Sequence, residues 1–216
     1  MARRSFFHDN GLSIVLLGLF AVFTIGLAFS GWHEVNSNNL RHGHPLVSLS
    51  GYLDSADFGE AIFENWESEF LQMGLYVLLT AFLFQRGSAE SRDPDQHEKA
   101  TRPKQDSPGP VWRGGLGLLL YKNSLFLAFA FLFLASLIGH ALCGVDAASE
   151  DAIAHGEPPP TLWQYVSGSR FWFESFQNWQ SEFLAVFAIV VLSISLRQQG
   201  SPESKPLEAL HDQTGA

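Results

Sequence analysis

The chain has 216 residues, 46% of them hydrophobic and only 16% charged, and a formal net charge of −9. A soluble domain carries about 25% charged residues, so this composition describes an apolar body diluted by polar loops. The acidic balance excludes the clustered cationic face that nucleic acid requires, and a single cysteine, Cys143, excludes an internal disulfide, a CxxC pair and a cysteine zinc site.

In chain order there are four apolar runs. Residues 12–29 and 70–84 hold no charge, 124–143 hold only His140, and 183–196 hold none. A helix that crosses a bilayer needs about 20 residues. The first and third runs suffice alone. The second and fourth are about 15 residues each, too short unless they take in the residues ahead of them. Those residues are FENWESEF at 63–70 and FQNWQSEF at 176–183. From Trp66 to Gln85 is about 28 Å of helix, with Trp66 as an interface anchor. The predicted spans are therefore about 11–31, 65–85, 123–143 and 178–197. Arg3, Arg4 and the cleavage-like Ala28-Phe29-Ser30 would also suit a secretory signal. The internal recurrence of the same segment at 121–144 argues for a retained span.

Of the thirteen basic residues, only Arg41 and Arg170 fall between spans one and two or three and four. By the positive-inside rule both termini and the middle loop are cytoplasmic and the two loops at about 30–65 and 144–178 face outward. The charged, Pro- and Ser-rich segment 93–112 reads as a flexible linker, and the tail 206–216 has the same character.

A shift of 113 residues superimposes 10–91 on 123–204 without a gap, and 29 of those 82 positions are identical. The matches include loop residues: His42-Gly43-x-Pro45 with His155-Gly156-x-Pro158, Tyr52 with Tyr165, and QxGSxES at 85–91 with 198–204. Apolar composition alone would not reproduce these. The reading is a tandem duplication of a two-span hairpin, with repeats at 1–92 and 113–205. Two parallel hairpins imply a pseudo-two-fold axis along the membrane normal. The fold class is thus an all-α membrane protein of four transmembrane helices. DNGLS at 9–13, FENWESEFLQM at 63–73 and QRGSAESRDPD at 85–95 together resemble an uncharacterised bacterial family of integral membrane proteins, catalogued only as a domain of unknown function. That resemblance implies a small four-span protein of a bacterial inner membrane and no activity.

The repeated motif supplies the candidate residues: Asn65, Trp66, Ser68 and Glu69, with Asn178, Trp179, Ser181 and Glu182. In one reading Asn65 and Asn178 are N-caps, with the carboxylates in the first turn and the tryptophans at the interface. In the other, helices begin upstream near Ser55 and Ser167, and Asn65, Ser68 and Glu69 form one polar face at i, i+3, i+4. Glu69 and Glu182 would then lie at one depth, and paired carboxylates in a poorly hydrated place retain a proton or bind a cation. His140 invites a proton relay, set against a simple interhelical hydrogen bond. His42 and His155 lie in outer loops, where HGHP could offer imidazoles to a metal, but the second copy reads HGEP. No phosphate loop, GxSxG or HExxH is present, so no cofactor, catalytic residue or metal site is assigned. The leading expectation is a structural or partner-binding membrane protein. Its partners are the lipid bilayer and a protein or second copy of itself. The alternative is a proton- or cation-coupled carrier using Glu69 and Glu182.

Overall fold

The computed structural model describes residues 6–95, 103 and 107–215. Arg3, Arg4, Lys99, Arg102 and Lys104, which carry part of the charge asymmetry, lie outside the described residues, as does the middle of the 93–112 linker. Among the described residues the chain is all helical, with no strand. In order the helices are α1 (Phe6–Asp9), α2 (Gly11–His42), α3 (Leu49–Leu53), α4 (Ala56–Thr80), α5 (Gly109–Arg113), α6 (Gly115–Lys122), α7 (Ser124–Ala154), α8 (Leu162–Ser167) and α9 (Ser169–Leu192).

α2 and α7, of 32 and 31 residues, are long and apolar enough to cross a membrane. α4 starts upstream of the motif because Ser55 caps it, its hydroxyl accepting from the Phe58 N–H at 3.3 Å. This corrects the N-cap reading of Asn65 and Asn178. Each lies nine residues past its helix start, where the amphipathic segment ahead of it is already wound. Asn65 uses its amide on its own helix instead, donating to Ala61 O at 2.7 Å. α4 and α9 end at Thr80 and Leu192, ahead of the expected 85 and 197.

A compact turn succeeds each of these two helices. The Gln85 N–H donates to Ser91 Oγ at 2.9 Å, and the Gln198 N–H to Ser204 Oγ at 2.8 Å. Gly87 and Gly200 hold φ of 85° and 83°, a conformation that favours glycine. The C-terminal segment, expected to be flexible, is tied down. Lys205, only 2% exposed, donates to the carbonyls of Gly87 (2.6 Å), Leu210 (3.1 Å), His211 (3.0 Å) and Gln213 (2.9 Å). A buried ammonium must be wrapped by acceptors, and here the tail supplies three of them. Thr214 and Gly215 complete the clasp through Gly87 N and Ser88 O, at 2.9 Å each.

α4 is the central helix, packed chiefly on α7 and also on α9. Small residues allow the close approach to α7. A Cβ on Gly59 would come within 2.6 Å of Cys143 Sγ, and one on Gly139 within 2.6 Å of the Phe63 ring. α2 stands further off. It is held by Trp32 and Asn36, both donating to Val47 O (2.7 and 2.9 Å), and by the Phe20–Trp66 ring contact. Gly26, the counterpart of Gly139, faces open space, and Phe176, the counterpart of Phe63, is 56% exposed. The α4–α7 contact therefore has no repeat between α2 and α9.

Locally, matched positions do behave alike. Gly43 and Gly156 end their helices with φ of 73°. The Tyr52 hydroxyl sits where a side chain on Gly31 would be, and Tyr165 does the same at Gly144. Ser68 and Ser181 each donate to the Asn carbonyl three residues back, at 2.8 Å.

Burial is inverted relative to a soluble domain. Among the described residues eleven polar or charged side chains are buried against five hydrophobic ones, while Phe23 and Phe131 are each 70% exposed. The clasp gives a test of the ordered tail. Lys205→Met should cost about 2 kcal/mol, the scale of hydrogen bonds to a charged group, and expose residues 206–215 to limited proteolysis several-fold faster. An unchanged digestion rate would contradict the clasp.

Candidate functional site

Glu60, Glu64 and Glu67 stand at i, i+4 and i+7 and so share one face of α4. That face meets α7 and α9. α7 contributes His140, α8 contributes Tyr165, and α9 contributes Arg170, Glu174, Ser175 and Asn178. His140, Glu67 and Ser175 have no solvent exposure. Phe171 closes the group, stacking on the His140 ring at 4.8 Å between centroids and meeting Tyr165 edge-on at 5.7 Å.

The hydrogen bonds fix most of these atoms. His140 Nδ1 lies 3.1 Å from Glu67 Oε2, and Glu67 Oε1 accepts from Ser175 Oγ at 2.8 Å. Tyr165 shares its hydroxyl between Glu60 Oε1 (2.9 Å) and Glu174 Oε2 (3.0 Å). Arg170 donates through Nε to Glu174 Oε1 at 2.8 Å and reaches Glu60 Oε2 at 3.5 Å. Asn178 donates to Glu64 Oε1 at 2.6 Å. One buried atom is left over. His140 Nε2 has no hydrogen bond and lies 3.5 Å from Glu174 Oε2, out of alignment.

Four carboxylates thus converge on one guanidinium and one imidazole. Burial raises the pKa of Glu60, partly offset by the Tyr165 hydroxyl and Arg170. Burial also raises that of Glu64, offset by His140. The Tyr165 phenol is pushed up by burial and by Glu60 and Glu174. Arg170 is held protonated by its bond to Glu174. Glu60, His140 and Glu174 each offer one ligand atom, all within 4.8 Å of one another, and could hold a metal ion.

The repeated motif contributes only its edge to this centre. Asn178 is part of it, and Ser68 is buried beside Glu67. Asn65, Trp66 and Glu69 instead line a cleft of about 630 Å³ between α2 and α4, with Phe20, Phe23 and Leu27. Glu182 is half-buried, and its backbone carbonyl accepts from Gln72 at 3.1 Å. Glu69 lies close enough to Glu182 for its charge to act on it, although no hydrogen bond joins the two among the described residues. Trp179 packs among Phe133, Trp172 and Phe176, and Ser181 is exposed. His42 and His155 end α2 and α7, each with Nδ1 2.9 Å from a carbonyl of its own helix.

Of the candidates, His140 and Asn178 reach the centre. Sequence reasoning missed Glu60, Glu64, Glu67, Tyr165, Arg170, Glu174 and Ser175 as site residues. The signal for the three glutamates is their i, i+4, i+7 stripe on α4. His140→Leu places here the residue that position 27 carries in the first half, and strands Glu67 in the interior. Breaking a buried pair costs about 3–5 kcal/mol, so the variant should melt well below the wild type when followed by tryptophan fluorescence in detergent. His140→Leu with Glu67→Leu should recover most of the loss. Equal melting of the single variant and the wild type would show that the pair holds nothing together.

Neither a curated protein nor a solved structure matches this chain significantly. A family model does match, over residues 3–216, and its description is domain of unknown function, DUF6766. The chain therefore belongs to the DUF6766 family across nearly its whole length.

Proposed function

We propose that this is a four-span integral membrane protein of the bacterial inner membrane with both termini cytoplasmic. Its two duplicated hairpins place a buried carboxylate–histidine centre near the outer face, and that centre binds a cation. The observation that carries the cation reading is His140 Nε2, fully buried, without a hydrogen bond, and turned toward the acidic side of the centre. A purely structural role accounts for the satisfied pairs, such as Asn178 with Glu64. It leaves excess negative charge and an unbonded nitrogen in one desolvated place, an arrangement that a bound cation relieves. Of the two expectations from the sequence, this favours cation handling, moved from Glu69 and Glu182 to Glu60, Glu67, His140 and Glu174.

The inverted burial supports the membrane reading, since an exterior of exposed Leu, Ile and Phe suits acyl chains. The matched turns, caps and Tyr–Gly contacts support the duplication. The spans run through the apolar parts of α2 and α7, and in α4 and α9 from the level of Trp66 and Trp179. Glu60 and Glu64 then lie at headgroup depth and Glu67 just beneath.

Two measurements test this. Reporter fusions after residues 46 and 158 should be active outside, and fusions after residues 100 and 216 inside; any other pattern overturns the topology. In nanodiscs, at least one of Na⁺, K⁺, Mg²⁺, Ca²⁺, Mn²⁺ and Zn²⁺ should raise Tm by several degrees through linkage, and Glu174→Gln should abolish that rise. If none shifts the wild type, the cation reading fails.

A further inference from the structure

Resting on the cation reading above, we infer that the ligand is a first-row divalent metal of the Zn²⁺ or Mn²⁺ class, held by His140 Nε2, Glu60 and Glu174, with Glu67 orienting the histidine. An ionised Glu67 can only accept, so the 3.1 Å contact takes a proton on Nδ1. Nε2 then faces the other carboxylates, 3.5 Å from Glu174 Oε2 and without a hydrogen bond. In the metal-bound state the ring is neutral and its Nε2 lone pair is the ligand. A carboxylate behind the ring, fixing tautomer and orientation, is how proteins hold a metal-binding histidine. Ser175 fixes that carboxylate in turn, at 2.8 Å.

The spacing and charge agree. Bonds of about 2.1 Å to a tetrahedral ion put neighbouring ligands about 3.4 Å apart. The Nε2–Glu174 separation is 3.5 Å, and all three ligand atoms lie within 4.8 Å. Reaching that spacing shortens the widest pair by at most about 1.4 Å. Gly144 has no side chain to crowd Glu60: a Cβ there would lie 2.8 Å from Glu60 Oε1. With all four carboxylates ionised and the imidazole neutral, the centre would exceed Arg170 by three negative charges, and a divalent ion would reduce that excess to one. An imidazole with two carboxylates suits Zn²⁺, Mn²⁺ or Fe²⁺, whereas Mg²⁺ and Ca²⁺ take oxygen-only sets.

The test uses the full-length protein in nanodiscs, treated with chelator and titrated with MnCl₂ or ZnCl₂. The expected result is one ion per chain with a micromolar or tighter Kd. Electron spin-echo modulation from bound Mn²⁺ should show coupling to an imidazole nitrogen. Glu60→Gln and Glu174→Gln should each weaken binding at least tenfold with unchanged circular dichroism, and Glu69→Gln should leave it as in the wild type. Bound Mn²⁺ without nitrogen coupling, or variants that bind like the wild type, would overturn the assignment. So would Mg²⁺ or Na⁺ stabilising the protein as well as Zn²⁺ does, although the broader cation reading would then stand. No stabilisation by any cation would overturn both.

Discussion

A histidine and a glutamate with no access to water must satisfy each other, and in this chain much of the packing is arranged around that requirement. Glu67 on α4 and His140 on α7 can meet only if those two helices lie close together. Gly59 and Gly139 allow the approach, because a side chain at either would collide with the facing helix. α9 then covers the pair from the third side with Ser175, Glu174 and Phe171. Removing one partner would leave an uncompensated charge in the interior, which is far costlier than losing an exposed ion pair.

The two aligned stretches, 10–91 and 123–204, contribute differently to the structure. Turns, caps and the Tyr–Gly contacts are shared, whereas the charged groups of the centre are not. Position by position, Glu60, Glu64 and Glu67 correspond to Phe173, Gln177 and Gln180, while His140 and Glu174 correspond to Leu27 and Ala61. The result is one centre per chain, made from α4 of the first half and α7, α8 and α9 of the second. α2 lacks the groups that draw α7 inward, which agrees with its open Gly26 face.

This division decides what is legible in the sequence. The long helices and the turns after α4 and α9 can be read there, because they depend on apolar runs and glycines that the chain states twice, whereas the upstream starts of α4 and α9 compete in the sequence with an Asn cap. The centre is hidden by the same logic. Repetition draws attention to Asn65, Glu69 and Glu182, yet the convergence depends on charged residues present in one copy only. The stripe at 60, 64 and 67 can be found from its spacing, but Tyr165, Arg170 and Glu174 join it only through tertiary packing. The tail misleads for a related reason. Its composition is that of a linker, and it is ordered by the burial of Lys205 among four carbonyls and by the bonds of Thr214 and Gly215 to Gly87 and Ser88.

The proposed centre stands or falls on one feature: His140 must present an unprotonated Nε2 to Glu60 and Glu174 while Nδ1 is bonded to Glu67. The most direct measurement is the ¹⁵N spectrum of the His140 ring, labelled in the full-length protein in lipid. The expected spectrum is that of a neutral ring protonated at Nδ1 only, with the Nε2 resonance moving when Zn²⁺ is added. A ring protonated at both nitrogens and indifferent to Zn²⁺ would contradict it, and would make the centre a closed ion-pair network.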